Sequence, residues 1–307
     1  MKFGNIMDYW RNDANVEHME EDLQMKGNII MLTRIGIYTL SSDNESNIVI
    51  TSTELNNQGA LAVSSFAQHD AETIILVDNS AHCLHKLVRS PQPSSVSVLA
   101  GVCNDQYPVT KDGTFRTARF KRPNIIAKGL SNDYYLSETG NADGIVRKVK
   151  VDDETVSDGT VTNIFEGTQS QVKWENPYAM TFIQETNLLF VSTTRNLFSI
   201  DVSSQPVNVT GLTAGQRGNQ DGLLSKSKFT SSNALATVNK ELLLAAPTFT
   251  EGNVLRVINL RNEFVFTLAL NYSNAIKSVL TIAHQNKVYV GGENGVSILS
   301  CKYSMQP

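Results

Sequence analysis

Histidine and cysteine are scarce in this chain, with five and three in 307 residues. Five histidines spread along the chain do not supply three imidazoles that could converge on one ion. Three cysteines leave the redox compartment open. No apolar run approaches the eighteen or so residues a membrane-spanning helix needs. The first 25 residues are polar, with Asp8, Arg11, Asp13, Glu17, Glu20, Glu21 and Asp22 among them, and do not read as a secretion leader. Two localisations follow as expectations: cytoplasmic, or extracellular if a leader lies outside this sequence. Positive charge is not in excess either. Lys and Arg total 26 against 30 Asp and Glu, for a net charge of −4, so no overall field draws the chain to nucleic acid or an anionic membrane. A phosphate-binding loop, a dinucleotide fingerprint and a G-x-S-x-G elbow are all missing.

What the chain has is repetition. Phe66, Phe120, Trp174 and Phe229 stand 54, 54 and 55 residues apart, each beside a new apolar segment. A period near fifty marks units that cannot bury their apolar faces alone. Six strand-turn-strand runs follow one template. Ile75-Leu76-Val77 leads into Leu84-His85-Lys86-Leu87, and Leu189-Phe190-Val191 into Leu197-Phe198-Ser199-Ile200. The repeat length suits four strands, and four-stranded units arranged radially describe a six-bladed, all-β propeller. The blades are expected at 26–58, 59–103, 112–166, 171–215, 221–270 and 274–303, forming one domain over 26–307. Residues 1–25 stand apart: Asp13 to Lys26 is the one stretch with a helical reading, while residues 1–12 or the tail after Leu299 offer a strand to complete a blade.

The third repeat is the most explicit. Asp112-Gly113-Thr114-Phe115-Arg116-Thr117-Ala118-Arg119-Phe120-Lys121-Arg122-Pro123-Asn124-Ile125-Ile126 is followed by Tyr135-Leu136-Ser137-Glu138-Thr139-Gly140-Asn141 and Ile145-Val146-Arg147-Lys148-Val149. This resembles the NHL repeat, with D-G, A-x-F and P phrases, then Y-V-A-D-T-x-N and R-I-R-K-I. Leu99-Ala100-Gly101 and Leu212-Thr213-Ala214-Gly215 are similar to the L-A-G phrase that leads into such repeats. The likeness thins outward. Asp221-Gly222 and Phe229 remain in the fifth repeat, Trp174 and Pro177 in the fourth, and Phe66 in the second, with His69 where proline would stand at the entry of the inner strand. The resemblance implies a propeller. Among its relatives it implies metal-dependent lyases with an axial site, lactonases of similar shape, and tripartite-motif proteins that bind RNA on a basic face.

Each candidate has a plain structural reading beside it. Asp-Gly suits a tight turn, the aromatics plug the space between sheets, and the basic run Arg116, Arg119, Lys121, Arg122 suits a solvated entry loop. His82 and His85 would point to opposite faces of a strand and so could not share one ion. Cys83 and Cys103 lie symmetrically about Pro93, so a hairpin turning at Pro91-Gln92-Pro93 would bring them together, as a disulfide or as two buried thiols. Cys301 stays alone. Sequons stand at Asn44, Asn208 and Asn271. The reading that results is a non-catalytic scaffold binding a protein partner through loops on one face, with no cofactor, no metal and no nucleic acid expected. The contact residues are expected in the long loop of the third repeat, at Asn104, Asp105, Gln106, Tyr107 and Lys111, with Tyr107 as anchor.

Overall fold

The computed structural model describes residues 2–10, 16–33, 36–44, 47–53, 61–89, 94–139, 144–152, 156–167, 174–247, 254–270, 275–282, 285, 287–293 and 295–302. Its strands form six antiparallel sheets of four or five strands each. The chain opens with β1 (Lys2–Trp10) and then lays down the first blade as β2 (Val16–Glu21), β3 (Ile29–Thr33), β4 (Gly36–Asn44) and β5 (Asn47–Thr53). The second blade is β6 (Val63–Gln68), β7 (Thr73–Asp78), β8 (Cys83–Val88) and β9 (Ser95–Gly101). The short β10 (Gly113–Thr114) precedes the third, made of β11 (Pro123–Lys128), β12 (Asp133–Glu138), β13 (Ile145–Val151) and β14 (Gly159–Glu166). The fourth holds β15 (Ala179–Ile183), β16 (Leu188–Ser192), β17 (Leu197–Asp201) and β18 (Asn208–Gly211). A second short strand, β19 (Gly222–Leu223), leads into β20 (Ser232–Asn239), β21 (Leu242–Pro247), β22 (Val254–Asn259) and β23 (Phe264–Ala269). The sixth is β24 (Ile276–Ile282), β25 (Lys287–Gly292) and β26 (Gly295–Lys302), and β1 pairs with β26 to supply its outer strand. Both chain ends therefore share one blade, which closes the ring. Among the described residues no helix is long and apolar enough to cross a membrane.

The core explains why the strands read as continuous apolar runs. Successive side chains on a strand point to opposite faces, and in a ring each face meets a different neighbour. In β7, Ile74 and Leu76 pack toward the first blade beside Leu32 and Phe66, while Ile75 and Val77 pack toward the third beside Phe120 and Tyr134. In β16, Leu189 and Val191 join the third blade, and Phe190 joins the fifth. Six buried clusters fill the six seams between blades. Such burial, at roughly 25 cal/mol per Å² of apolar surface, holds neighbouring blades together.

Three sequence expectations need correction. The stretch from Asp13 to Lys26 holds no helix over its described residues. Val16–Glu21 is the innermost strand of the first blade, so that blade begins ahead of residue 26. Val16 and Met19 are buried, while Glu17, His18, Glu20 and Glu21 lie along the axial cavity, and this polar lining imitates a helix face. Phe66 is also not equivalent to Phe120 and Phe229. It lies within β6, whereas Phe120 and Phe229 precede β11 and β20, so the first spacing of the series joins unlike positions. His69 follows the end of β6 and sits at the strand's exit, not its entry. The Pro91-Gln92-Pro93 turn and the sequon at Asn271 lie outside the described residues.

Candidate functional site

Each innermost strand, β2, β6, β11, β15, β20 or β24, stands at the end of its sheet, so one backbone edge of each is left for the axis of the ring. These edges enclose a cavity of about 1000 Å³. Its wall carries Ser64, Asn124, Tyr178, Asn233 and Lys277 near the strand entries, and Glu20, Glu21, Lys128 and Glu185 near the exits. His18 is the one imidazole among the described lining residues, and it packs edge-on against Phe66 with ring centroids 4.8 Å apart. At the exit mouth the Gln68 side chain donates to Glu20 Oε2 at 3.1 Å and to the Glu21 carbonyl at 2.6 Å, joining the first two blades. Lys128 Nζ donates to the His69 carbonyl at 2.6 Å, and His69 Nδ1 lies 2.8 Å from the Tyr134 hydroxyl. Burial lowers the Lys128 pKa, opposed by the charges of Glu20 and Asp70. Burial, with the same two carboxylates, raises that of Tyr134.

Because every blade repeats the same up-and-down order, the segments running from an outer strand to the next inner strand all reach the same mouth of the ring. The segment between the second and third blades, Val102 to Arg122, carries every residue expected to make contact. Tyr107 is 83% exposed, more than any other large apolar side chain among the described residues. Val102 and Val109 are exposed beside it in sequence, as are Asn104, Gln106 and Lys111, while Asp105 is half-buried. Asp105 accepts the Tyr107 backbone N–H at 3.0 Å, which shapes the tip. Exposed Arg116 and Arg122 lie further along the same segment.

This loop is held at both ends. At its start, Gly101 takes a φ of +91°, and its missing Cβ makes room for the Phe120 ring, which a Cβ would meet at 2.7 Å. Two residues on, Cys103 is disulfide-bonded to Cys83 of β8, with Cα atoms 5.1 Å apart. At its far end the fully buried Arg147 of β13 receives the chain. It donates to the carbonyls of Lys111 at 2.8 Å and Arg119 at 2.7 Å, and to Asp112 Oδ1 at 2.8 Å. Its charge is matched inside by Glu138, also fully buried, at 2.6 Å. Glu138 in turn accepts from the Thr110 hydroxyl and the Lys121 N–H. The guanidinium lies over the Phe120 ring, 5.2 Å from its centroid.

The fifth blade repeats the device. Arg256 donates to the carbonyls of Lys228 and Gln220 and to Asp221 Oδ1, and lies 4.1 Å from the Phe229 centroid. Burial lowers its pKa, opposed by Asp221. Asp112 and Asp221 are thus more than turn formers: each accepts a backbone N–H, from Asn163 or Thr267, and pairs with an arginine 35 residues on. That role was missed, although the 35-residue spacing occurs twice in the chain.

In the second blade the position matching Arg147 is His85, and Asp78 stands where Glu138 does, since Asp78 pairs with Cys83 as Glu138 pairs with Ile145. His85 Nε2 lies 3.6 Å from Asp78 Oδ2, 3.4 Å from Cys83 Sγ and 4.0 Å from Cys103 Sγ. His82 takes no part. It sits in the turn with φ +63°, and its Nδ1 accepts the Arg122 N–H at 3.1 Å. Burial opposes ionisation of Asp78, but hydrogen bonds from His85, the Ala81 N–H and Ser80, with the His85 charge, outweigh it and lower the pKa.

No family model matches the chain, and no curated protein is matched by it, so the likeness to NHL repeats rests on the residues quoted above. Solved structures match the fold. An auxiliary nutrient binding protein from Bacteroides thetaiotaomicron has a TM-score of 0.67 at 10% identity, over 92% of this chain and 68% of its own. An auxiliary nutrient binding protein from Bacteroides ovatus has a TM-score of 0.67 at 10% identity, over 94% of this chain and 70% of its own. A protein of unknown function from Bacteroides thetaiotaomicron gives 0.65 at 10% identity, over 97% and 72%. This chain is a six-bladed β-propeller similar in fold to binding proteins.

Proposed function

We propose that the chain is a non-catalytic scaffold that binds a protein partner through its entry face, with the segment Asn104 to Lys111 as the contact and Tyr107 as its anchor. The observation that carries this reading is an exposed aromatic on a loop fastened at both ends. A segment already held in place gives up less conformational entropy on binding, and a rigid tyrosine offers area with a polar tip. The exposed cations Lys111, Arg116 and Arg122 on the same segment favour a partner with an acidic surface. A polyanionic RNA would use the same cations, but these share the segment with Asp105 and Asp112, and the net charge of −4 opposes it. The description of the fold neighbours as nutrient binding proteins supports a binding role in general.

A second reading follows from the cavity itself: a wall of six inner strands carrying polar side chains such as Ser64, Asn124 and Asn233 would suit a small polar solute. Co-purification from the native source, comparing wild type with Tyr107→Ala, separates the two. Loss of a co-purifying protein by a factor of about 30 or more, the effect of a hot-spot side chain, supports the loop face. An unchanged protein complement, with a small molecule released on denaturation, supports the cavity.

A further inference from the structure

We propose that, once the Cys83–Cys103 disulfide is reduced, the corner between the second and third blades becomes a zinc site, with Cys83, Cys103, His85 and Asp78 as ligands. The disulfide brings both sulfurs against His85, and the ligand atoms of Cys83, His85 and Cys103 all lie within 4.8 Å of one another. A tetrahedral zinc ion with bonds near 2.0–2.3 Å places its ligand atoms roughly 3.3–3.8 Å apart. His85 Nε2 already lies 3.4 Å from one sulfur, 4.0 Å from the other and 3.6 Å from Asp78 Oδ2. The close group holds Cys83, His85 and Cys103, so the two sulfurs must separate and Asp78 Oδ2 must close on them from its place beside the imidazole; Cys103, half-buried at the start of a loop, is the one placed to move. Asp78 is also prepared. Its Oδ1 is taken by the Ala81 N–H at 2.9 Å and the Ser80 hydroxyl at 3.2 Å, which leaves Oδ2 facing the imidazole.

The sequence shows why this corner differs from its counterpart in the third blade. There a guanidinium and a carboxylate occupy the matching positions, and arginine cannot ligate a metal. His85 and Asp78 can. The redox step is a two-electron exchange with a dithiol: the reductant's two sulfurs join as a disulfide, and the protein's disulfide opens to two thiols. Zinc then displaces the two thiol protons and binds as thiolate, with neutral imidazole and carboxylate completing four ligands. Disulfide or zinc would each hold the base of the Tyr107 loop, one in an oxidising and the other in a reducing compartment.

The test uses the full chain, reduced with a phosphine under exclusion of air, incubated with zinc and desalted. Bound metal is read with a chromogenic chelator after denaturation, and cobalt is substituted for its thiolate charge-transfer bands. About one zinc per reduced chain, none on the oxidised chain, and retention by Cys301→Ser are expected. His85→Ala should lose most of the metal. Near-ultraviolet circular dichroism of the reduced wild type checks that the fold persists, so the result does not hang on a variant. A reduced, folded chain that carries no zinc would overturn the proposal, as would equal zinc on the oxidised chain or binding that disappears with Cys301.

Discussion

The second and third blades solve the same problem with different chemistry. Each fastens the segment that carries Tyr107 from the first residues of its third strand, the second blade through Cys83 at the start of β8 and the third through Arg147, two residues into β13. The third blade uses a buried Arg147–Glu138 pair that gathers Lys111, Asp112 and Arg119. The second uses a covalent bond from Cys83 to Cys103, and keeps a histidine and an aspartate where the other has arginine and glutamate. An ionic clamp depends on complete pairing in a dry site, because a buried charge left alone is costly. A disulfide depends on compartment. The loop is thus constitutively held on one side and redox-dependent on the other.

Breaking the ionic side should have the largest effect. Arg147→Ala orphans the fully buried Glu138 and should cost about 3–5 kcal/mol in urea unfolding; a loss within 1 kcal/mol would show that Glu138 finds water or a proton cheaply. Breaking the covalent side by Cys103→Ser should cost about 2–4 kcal/mol under oxidising conditions and close to nothing against reduced wild type without metal. If both references show the same loss, the bond is not what holds the loop. Arg256→Ala sharpens the comparison, since its Asp221 partner is partly exposed and no buried carboxylate is left behind. A cost of about 2–3 kcal/mol, below that of Arg147→Ala, is expected from the lost charged hydrogen bonds, and a reversed order would undo the argument from burial. Tyr107→Ala should shift stability by no more than about 0.5 kcal/mol, because the side chain is exposed. A larger shift in thermal unfolding would assign the tyrosine to folding instead of binding.

The ring was legible where a strand faces two seams. Ile74-Ile75-Leu76-Val77 and Leu189-Phe190-Val191 read as short apolar runs because alternate residues enter different interfaces. The innermost strand of the first blade was not legible, because Glu17, Glu20 and Glu21 face the axial cavity and break the pattern a strand would show. Phe66 misled for another reason: it fills a seam as Phe120 does, but from inside a strand, so periodicity of residue type did not mean equivalence of place. At the site, the exposed loop around Tyr107 was visible as excess length. Its two fastenings were only half visible. The cysteine pairing could be drawn from the hairpin, with free thiols as the alternative, but the buried role of Arg147 required knowing that the chain returns over it.

The central claim is that the partner meets the ring at Tyr107. A photo-crosslinking amino acid placed at position 107, and separately at the exposed Asn262 on the loop joining β22 and β23 of the fifth blade at the opposite mouth, would test it in the native source. The account predicts a discrete crosslinked protein from position 107, reduced when Lys111 and Arg116 are also changed to alanine, and none from position 262. The same product from both positions, or one from position 262 alone, would contradict it.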